Sequence, residues 1–451
     1  MINETRLQEL LTKERATFAG SHLRSRAAYE NATHLFGKVP MTWMNKSAAG
    51  HPVYLDTARG AKVTDIDNNT YLDLCLGDTG AMAGHSPEAT VEAVQRRFGE
   101  LGGATAMMPT EDAEWVGEEL TRRFGIPLWS FSLSATDANR WAIRLVRALS
   151  GRPKILVNSY CYHGSVDESL IVVGPDGEGE SREGNVGAPV DVTQTSRVAE
   201  FNDLDALERQ LAHGDVAAVL MEPALTNIGI ILPEDGYLDG VRELTREHGT
   251  LLIIDETHTF SAGPGGMTAS EGLQPDVLTI GKAMGGGIPC GAYGLSGELV
   301  ERIESLKDLD LIDTGGVGGT LAGNPVSVAA MRATLGEVLT DDAFVGMTDL
   351  ATRFVDGVES AFDKYELPWS IRQLGARAEY RFTSPAPRNG TESAAAHNPD
   401  LDDYMHIYLA NRGILLTPFH AMALMCPATT AEDVDLHTEV FHQAAADLVG
   451  T

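Results

Sequence analysis

Cysteine is scarce in this chain: Cys75, Cys161, Cys290 and Cys426 are the four among 451 residues, and no two form a Cys-x-x-Cys pair. That spacing indicates neither a disulfide framework nor a thiolate metal site, so no metal is expected and a reducing cytoplasm fits. Basic residues are also few, with 34 Lys and Arg against 64 Asp and Glu and a net charge of −30. Such a field argues against nucleic acid, because no basic stripe is left to neutralise phosphates. No apolar run is long enough to span a membrane, and the opening Met1-Ile2-Asn3-Glu4-Thr5-Arg6 lacks the apolar centre of a signal peptide. A soluble intracellular protein without a membrane partner is therefore expected. No internal repeat is visible. The length and the 43 % hydrophobic content predict a globular chain of two or three domains.

What is present centres on two apolar runs. Leu251-Leu252-Ile253-Ile254 ends at Asp255, and 27 residues after that aspartate Val277-Leu278-Thr279-Ile280-Gly281 ends at Lys282, followed by Ala283-Met284-Gly285-Gly286-Gly287. A glycine cluster suits neither a helix nor a strand interior. A lysine at the end of a buried strand loses hydration, which favours the uncharged amine that attacks carbonyls and forms Schiff bases. Three more short runs, residues 129–133, 154–158 and 217–222, are separated by enough chain for crossover helices. They predict an α/β fold with a mainly parallel sheet covered by helices on both faces over residues 85–325. Ser134, Glu222, Asp255 and Lys282 all follow strand ends, where active sites of such sheets collect.

Around this core, residues 3–33 have helical spacing, and 53–56 with 62–67 alternate as antiparallel strands of a small domain (1–84). Residues 326–451 form a C-terminal α+β domain expected to pack with residues 35–80. Residues 174–195 and 385–399 are polar and read as surface excursions. Pro40-Met41-Thr42-Trp43-Met44 is rich in large apolar groups, as in a packed plug. After residue 133, Ser134-Ala135-Thr136-Asp137-Ala138-Asn139 opens a helix with Trp141, Ala142, Leu145, Val146 and Leu149 on one stripe, ended by Gly151. Ser134 suits an ordinary N-cap, and the same helix start suits an anion held by first-turn amides and hydroxyls.

A lysine that forms a Schiff base, paired with a carboxylate that can protonate a pyridine nitrogen, is the pattern expected for pyridoxal 5'-phosphate (PLP). From about residue 35 to the C-terminus the chain resembles the fold-type I, class III PLP-dependent aminotransferases, in particular the glutamate-1-semialdehyde aminomutase branch and the β-amino-acid and amine transaminases near it. The resemblance implies that Lys282 and Asp255 are catalytic, and that Ser134, Ala135 and Thr136 cradle the phosphate, although relatives usually carry Gly where Ala135 stands and Glu where Asp137 stands. Tyr160-Cys161-Tyr162-His163-Gly164 matches the family's Tyr-His-Gly, giving Tyr162 a stacking role on the cofactor ring and placing His163 beside it; core packing is the other reading of Tyr162. Glu222-Pro223 matches a supporting Glu-Pro. His258 stands where Gln or Met is common and could reach the cofactor's phenolic oxygen or be structural. Gly319-Thr320-Leu321-Ala322-Gly323-Asn324-Pro325 matches a loop whose threonine serves the neighbouring subunit's cofactor, implying through Thr320 a homodimer with composite sites.

The resemblance thus implies an aminotransferase acting on small amines or amino acids and carbonyl acceptors. An aminomutase or racemase on the same fold, and a non-catalytic PLP-binding regulator, are the alternatives. β-Amino-acid relatives carry an arginine in the segment matching Gly37 to Trp43 and another after the Ser-Pro matching Thr417-Pro418. Here the first segment offers only Lys38, and Phe419 and His420 follow Pro418. The expected pocket has Trp43 and Phe419 as apolar walls.

Overall fold

The computed structural model describes residues 2–306, 309–312 and 314–450; the residues Met1, Lys307, Asp308, Asp313 and Thr451 of the expected domains lie outside them. In chain order come α1 (Glu4–Ser21), α2 (Leu23–Asn31), β1 (Leu55–Arg59), β2 (Lys62–Asp65), β3 (Thr70–Asp73), α3 (Glu88–Gln95) and α4 (Glu111–Phe124). Then follow β4 (Leu128–Ser132), α5 (Ala135–Ser150), β5 (Lys154–Asn158), β6 (Ile171–Val173), β7 (Gly179–Ser181), β8 (Ser196–Ala199), α6 (Leu204–Leu211), β9 (Val216–Met221), α7 (Tyr237–Glu247), β10 (Leu251–Asp255), β11 (Val277–Gly281) and β12 (Gly291–Leu295). The last strands are β13 (Ser370–Leu374), β14 (Arg377–Arg381), β15 (Ile414–Leu415) and β16 (Met422–Leu424).

Two compact units result. The larger comprises Glu88–Asp341 and Pro387–Ala395. It is built on a seven-stranded sheet in the order β4-β12-β11-β10-β9-β5-β8. β8, β5, β9, β10 and β11 run parallel, while β12 is antiparallel to both its neighbours. All residues of β9, β10 and β11 are buried, which is why they read as unbroken apolar runs rather than as alternation. α5 begins at Ser134, whose side chain accepts from the Asp137 amide, and ends at Gly151 in the left-handed conformation. Its expected stripe holds: Trp141, Ala142, Leu145 and Val146 are buried against the sheet's core, with Leu149 partly so.

Two strands of this sheet, β8 and β12, were not singled out from sequence. β12 reads Gly-Ala-Tyr-Gly-Leu, poor in strand formers. A side chain at Gly291 would come within 2.6–2.8 Å of Ser132 and Ser134. The glycine here admits a close neighbour rather than marking a turn. The two polar stretches read as surface excursions are mostly exposed, and each carries a short element. The first contains β7, which pairs antiparallel with β6 just before it, and Val192 is buried. The second contains a helix, Gly390–Ala395, whose Gly390 lies so close to the Ser159 carbonyl that any side chain would clash.

The smaller unit comprises Met1–Pro87, Asp342–Ala386 and Ala396–Thr451. It carries a four-stranded sheet, β1-β2-β3-β15, and a three-stranded one, β13-β14-β16. The parallel pairing of β15 with β3 joins the C-terminal part of the chain to its N-terminal hairpin. The helix Pro325–Ala333, assigned by the sequence reading to the C-terminal domain, lies in the larger unit.

Candidate active site

The site is built at the carboxyl ends of β10 and β11, whose register sets Asp255 beside Thr279. β11 ends at Gly281. A side chain there would meet the Ala135 backbone nitrogen at 2.9 Å and its Cβ at 3.0 Å, so the end of the strand touches the first turn of α5. Lys282 then turns into the left-handed region at φ 54°, an uncommon conformation for a side-chain-bearing residue that tertiary contacts must hold. Its Nζ lies 2.7 Å from His258 Nε2.

Asp255 is 3 % exposed. Its Oδ2 accepts from His163 Nδ1 at 2.9 Å and from Asn139 Nδ2 at 2.8 Å, and its Oδ1 accepts from the Thr257 amide at 3.0 Å. Burial by itself would raise this carboxyl's pKa, but the His163 hydrogen bond and charge, with Thr257 and Asn139, hold it down at about 2. His163 is likewise buried, which opposes charge, yet its contacts with Cys161 and Asp255 raise its pKa well above the ordinary value. The result is a buried anion with a directed set of donors, and a histidine whose Nε2 has no hydrogen-bond partner among the described residues.

At the start of α5 the first-turn amides have no intrahelical acceptor. Gly164, at φ 79°, packs so tightly on Thr136 that any side chain would overlap its hydroxyl, and the Ser165 amide donates to Thr136 Oγ1 at 3.3 Å. Ser134, Ala135 and Thr136 thus form a helix start next to the end of β11, which Lys282 follows. Glu222 is buried at the end of β9 and accepts from Thr226. Tyr162 is half-buried on the loop before His163, and Thr320 is exposed in the loop leading to Pro325. The Gly-Asn-Pro after it starts a helix: Asn324 accepts from the Val326 and Ser327 amides, with Pro325 in the first turn. In the smaller unit, Trp43 and Phe419 meet edge to face, 5.6 Å between ring centroids.

Sequence reasoning missed Asn139, Thr257 and Thr279. Two carried a signal: Asn139 is a polar residue on the buried stripe of α5, and Thr279 interrupts an otherwise apolar strand. A buried polar group of that kind needs a partner. Among the described residues no cluster of three or more His, Cys, Asp or Glu could hold a metal ion.

Lys282 just past a strand end, the buried Asp255 carboxylate kept anionic and the helix start at Ser134 lie along the carboxyl-end edge of the larger unit's sheet. The family model for class-III aminotransferases matches residues 44–445, and the chain belongs to that family of PLP-dependent enzymes. A glutamate-1-semialdehyde 2,1-aminomutase from Anoxybacillus flavithermus is 33 % identical over 441 residues, covering 95 % of this chain and 99 % of that protein. Among solved structures, a glutamate-1-semialdehyde aminomutase from Pseudomonas aeruginosa PAO1, a variant of which was solved in complex with PMP, is 47 % identical with a TM-score of 0.96, covering 99 % of each chain. An omega-transaminase from Sphaerobacter thermophilus is 29 % identical with a TM-score of 0.85, covering 94 % of this chain and 97 % of that one. The expected α/β architecture of fold-type I PLP transferases is thereby established.

Proposed function

We propose that the chain catalyses amino-group transfer between a small amine or amino acid and a ketone, aldehyde or keto acid, using Lys282 as its reacting amine. The observation that carries this is the pair of strand ends in register: Lys282 Nζ within 2.7 Å of His258, and Asp255 held anionic beside Thr279. When bound, PLP supplies a carbonyl that condenses with amines and a ring that accepts the electrons of a substrate carbanion. The protein's residues do the rest. Asp255, kept charged by His163, Asn139 and Thr257, would hold a proton at the ring nitrogen. Ser134, Ala135 and Thr136 would hold the phosphate at the helix start, with Thr320 of a second subunit assigned to the same group in a homodimer. Tyr162 would hold the ring face, Glu222 would support it and His258 would address the phenolic oxygen. Lys282 Nζ would be the amine that moves the proton at the substrate carbon.

The acceptor and donor follow from what would face a carboxylate. Lys38 lies over the Tyr29 ring, 5.2 Å from its centroid, Arg377 is fully buried with a hydrogen bond to Thr79, and His420 is buried 3.3 Å from Glu379. A carboxylate buried without a bidentate cation costs on the order of several kcal/mol. Neutral groups against Trp43 and Phe419 are therefore proposed. A second reading, an aminomutase that isomerises one substrate without a separate acceptor, is favoured by the similarity at 47 % identity.

One donor panel with and without a carbonyl acceptor separates them: turnover should require the acceptor for transfer and be independent of it for isomerisation. β-Amino acids preferred over their decarboxylated amines by more than about a hundredfold, equivalent to about 2.7 kcal/mol, would overturn the neutral pocket. Lys282→Ala should lose the visible band of the loaded protein, and an unchanged band would refute Lys282. Mixed Lys282→Ala and Thr320→Val subunits should regain activity if sites are shared.

A further inference from the structure

We propose that Thr279 and Asn139 form a relay that positions the Asp255 carboxylate, closing its Oδ2 and leaving Oδ1 for the ring nitrogen of the cofactor. The inference rests on the cofactor chemistry proposed above.

Both residues are fully buried. Asn139 Nδ2 donates to Asp255 Oδ2 at 2.8 Å and to the His163 carbonyl at 3.2 Å, while Asn139 Oδ1 accepts from Thr279 Oγ1 at 2.7 Å. Every polar atom of the Asn139 side chain is thus used, and the amide has one sensible orientation: turned over, it would present its oxygen to a carboxylate and to a carbonyl. Thr279 supplies the donor that keeps Asn139 Oδ1 satisfied, from the strand position directly in register with Asp255. The backbone carbonyl of Thr279 is itself fixed, accepting from the Glu256 amide at 2.8 Å. The relay therefore ties together α5, β10 and β11, the three elements that carry the phosphate cradle, the aspartate and the lysine.

The consequence is a division between the two carboxylate oxygens. Oδ2 receives two side-chain donors, His163 and Asn139. Among the described residues Oδ1 receives the Thr257 amide alone, so its remaining lone pair is the one available to a cationic N–H. Without Asn139, Oδ2 would rest on His163 alone and the carboxylate plane could turn about its Cβ–Cγ bond. Thr279→Val keeps the shape of the side chain and removes the donor, leaving a buried carbonyl oxygen unsatisfied.

Neither residue touches the reacting atoms, so the test needs readouts that a merely structural role would not move. Thr279→Val, Thr279→Ser and Asn139→Ala are prepared in the full-length protein, with Lys282→Ala as control. PLP affinity of each apoenzyme and the 15N shift of ring-labelled PLP bound to it are measured alongside kcat and KM. Thr279→Val and Asn139→Ala should weaken PLP binding by about tenfold or more and move the 15N signal toward the unprotonated ring. They should also lower kcat more than they raise KM. Thr279→Ser should restore all three. A folded Thr279→Val protein with wild-type 15N shift, affinity and kcat overturns the relay, as does a fall in melting temperature alone. If Asn139→Ala does not fold, Asn139→Ser is judged by the same criteria. A wild-type protein that binds no PLP, or a visible band that survives Lys282→Ala, would instead overturn the functional reading itself.

Discussion

Among the buried histidines, His163 of the larger unit and His437 of the smaller unit are shifted in opposite directions. His163, in the larger unit, is 1 % exposed and lies 2.9 Å from the Asp255 carboxylate. His437, on the helix Ala431–Val449 of the smaller unit, is 0 % exposed, with ring centroids of Phe354 and Phe441 at 4.4 and 5.7 Å. Neither nitrogen of His437 has a hydrogen-bond partner among the described residues. Burial lowers the pKa of His437 to about 3, whereas His163 is pushed upward despite its burial. Burial opposes charge in both, and only a directed partner reverses the outcome. One ring behaves as a core aromatic and the other as half of a buried ion pair with Asp255.

The largest break in this comparison comes from removing the partner's partner. His163→Leu would leave Asp255 buried with Asn139 and Thr257 as its donors, and a loss of about 3–5 kcal/mol is expected in denaturant unfolding of the apoprotein at neutral pH. Second in size, Asp255→Asn should cost roughly 10²–10³-fold in kcat by removing the charge proposed to hold the ring nitrogen's proton. It should also make His163 behave like His437, which its imidazole NMR signals would show as a shift to the neutral form. A smaller effect is expected from His437→Leu, a gain of about 1–3 kcal/mol at neutral pH, because two buried polar atoms without partners disappear.

The pH dependence sharpens the contrast further. For His437 the folded pKa of about 3 lies below the unfolded value near 6.5, so the unfolded state binds more protons between them. Its contribution to stability is lost as pH falls below about 6.5, reaching on the order of 2–3 kcal/mol at pH 4.5. For His163 the shift is the reverse: its stabilisation is present below about 6.5 and is lost as pH rises through its elevated folded pKa. Asp255 adds stability that is present above about pH 4 and lost toward pH 2. His437→Leu should therefore flatten the stability curve between pH 6.5 and 4.5, and a curve as steep as the parent's would show that His437 is not the group responsible.

The parts of the site that were legible in the sequence are those written into a single run of residues. Asp255 and Lys282 ended apolar stretches, and each ends a buried strand because such a stretch has one way to hide its backbone and side chains together. Ser134 opened the α5 stripe and caps that helix. Trp43 and Phe419 were expected as apolar pocket walls; their edge-to-face contact in the smaller unit was not read from sequence. The role of His163 beside the cofactor was inferred only by likeness, and what it touches, Asp255, lies 92 residues away in the chain. Asn139 and Thr279 were visible only as polar exceptions, without their partners.

What the sequence determined by itself was the set of strands and helices with strong local patterns, and the family chemistry carried by a strand-end lysine and aspartate. The tertiary structure decided which groups meet: that β12 enters the sheet on glycines, that Gly281 lies against the first turn of α5, that His163 stands beside Asp255 while His437 stands between Phe354 and Phe441. Local runs of sequence settle hydrophobic burial because periodicity is a property of neighbouring residues. Hydrogen bonds and ion pairs between distant residues depend on ångström-scale register between elements, and that register exists only once the elements have packed.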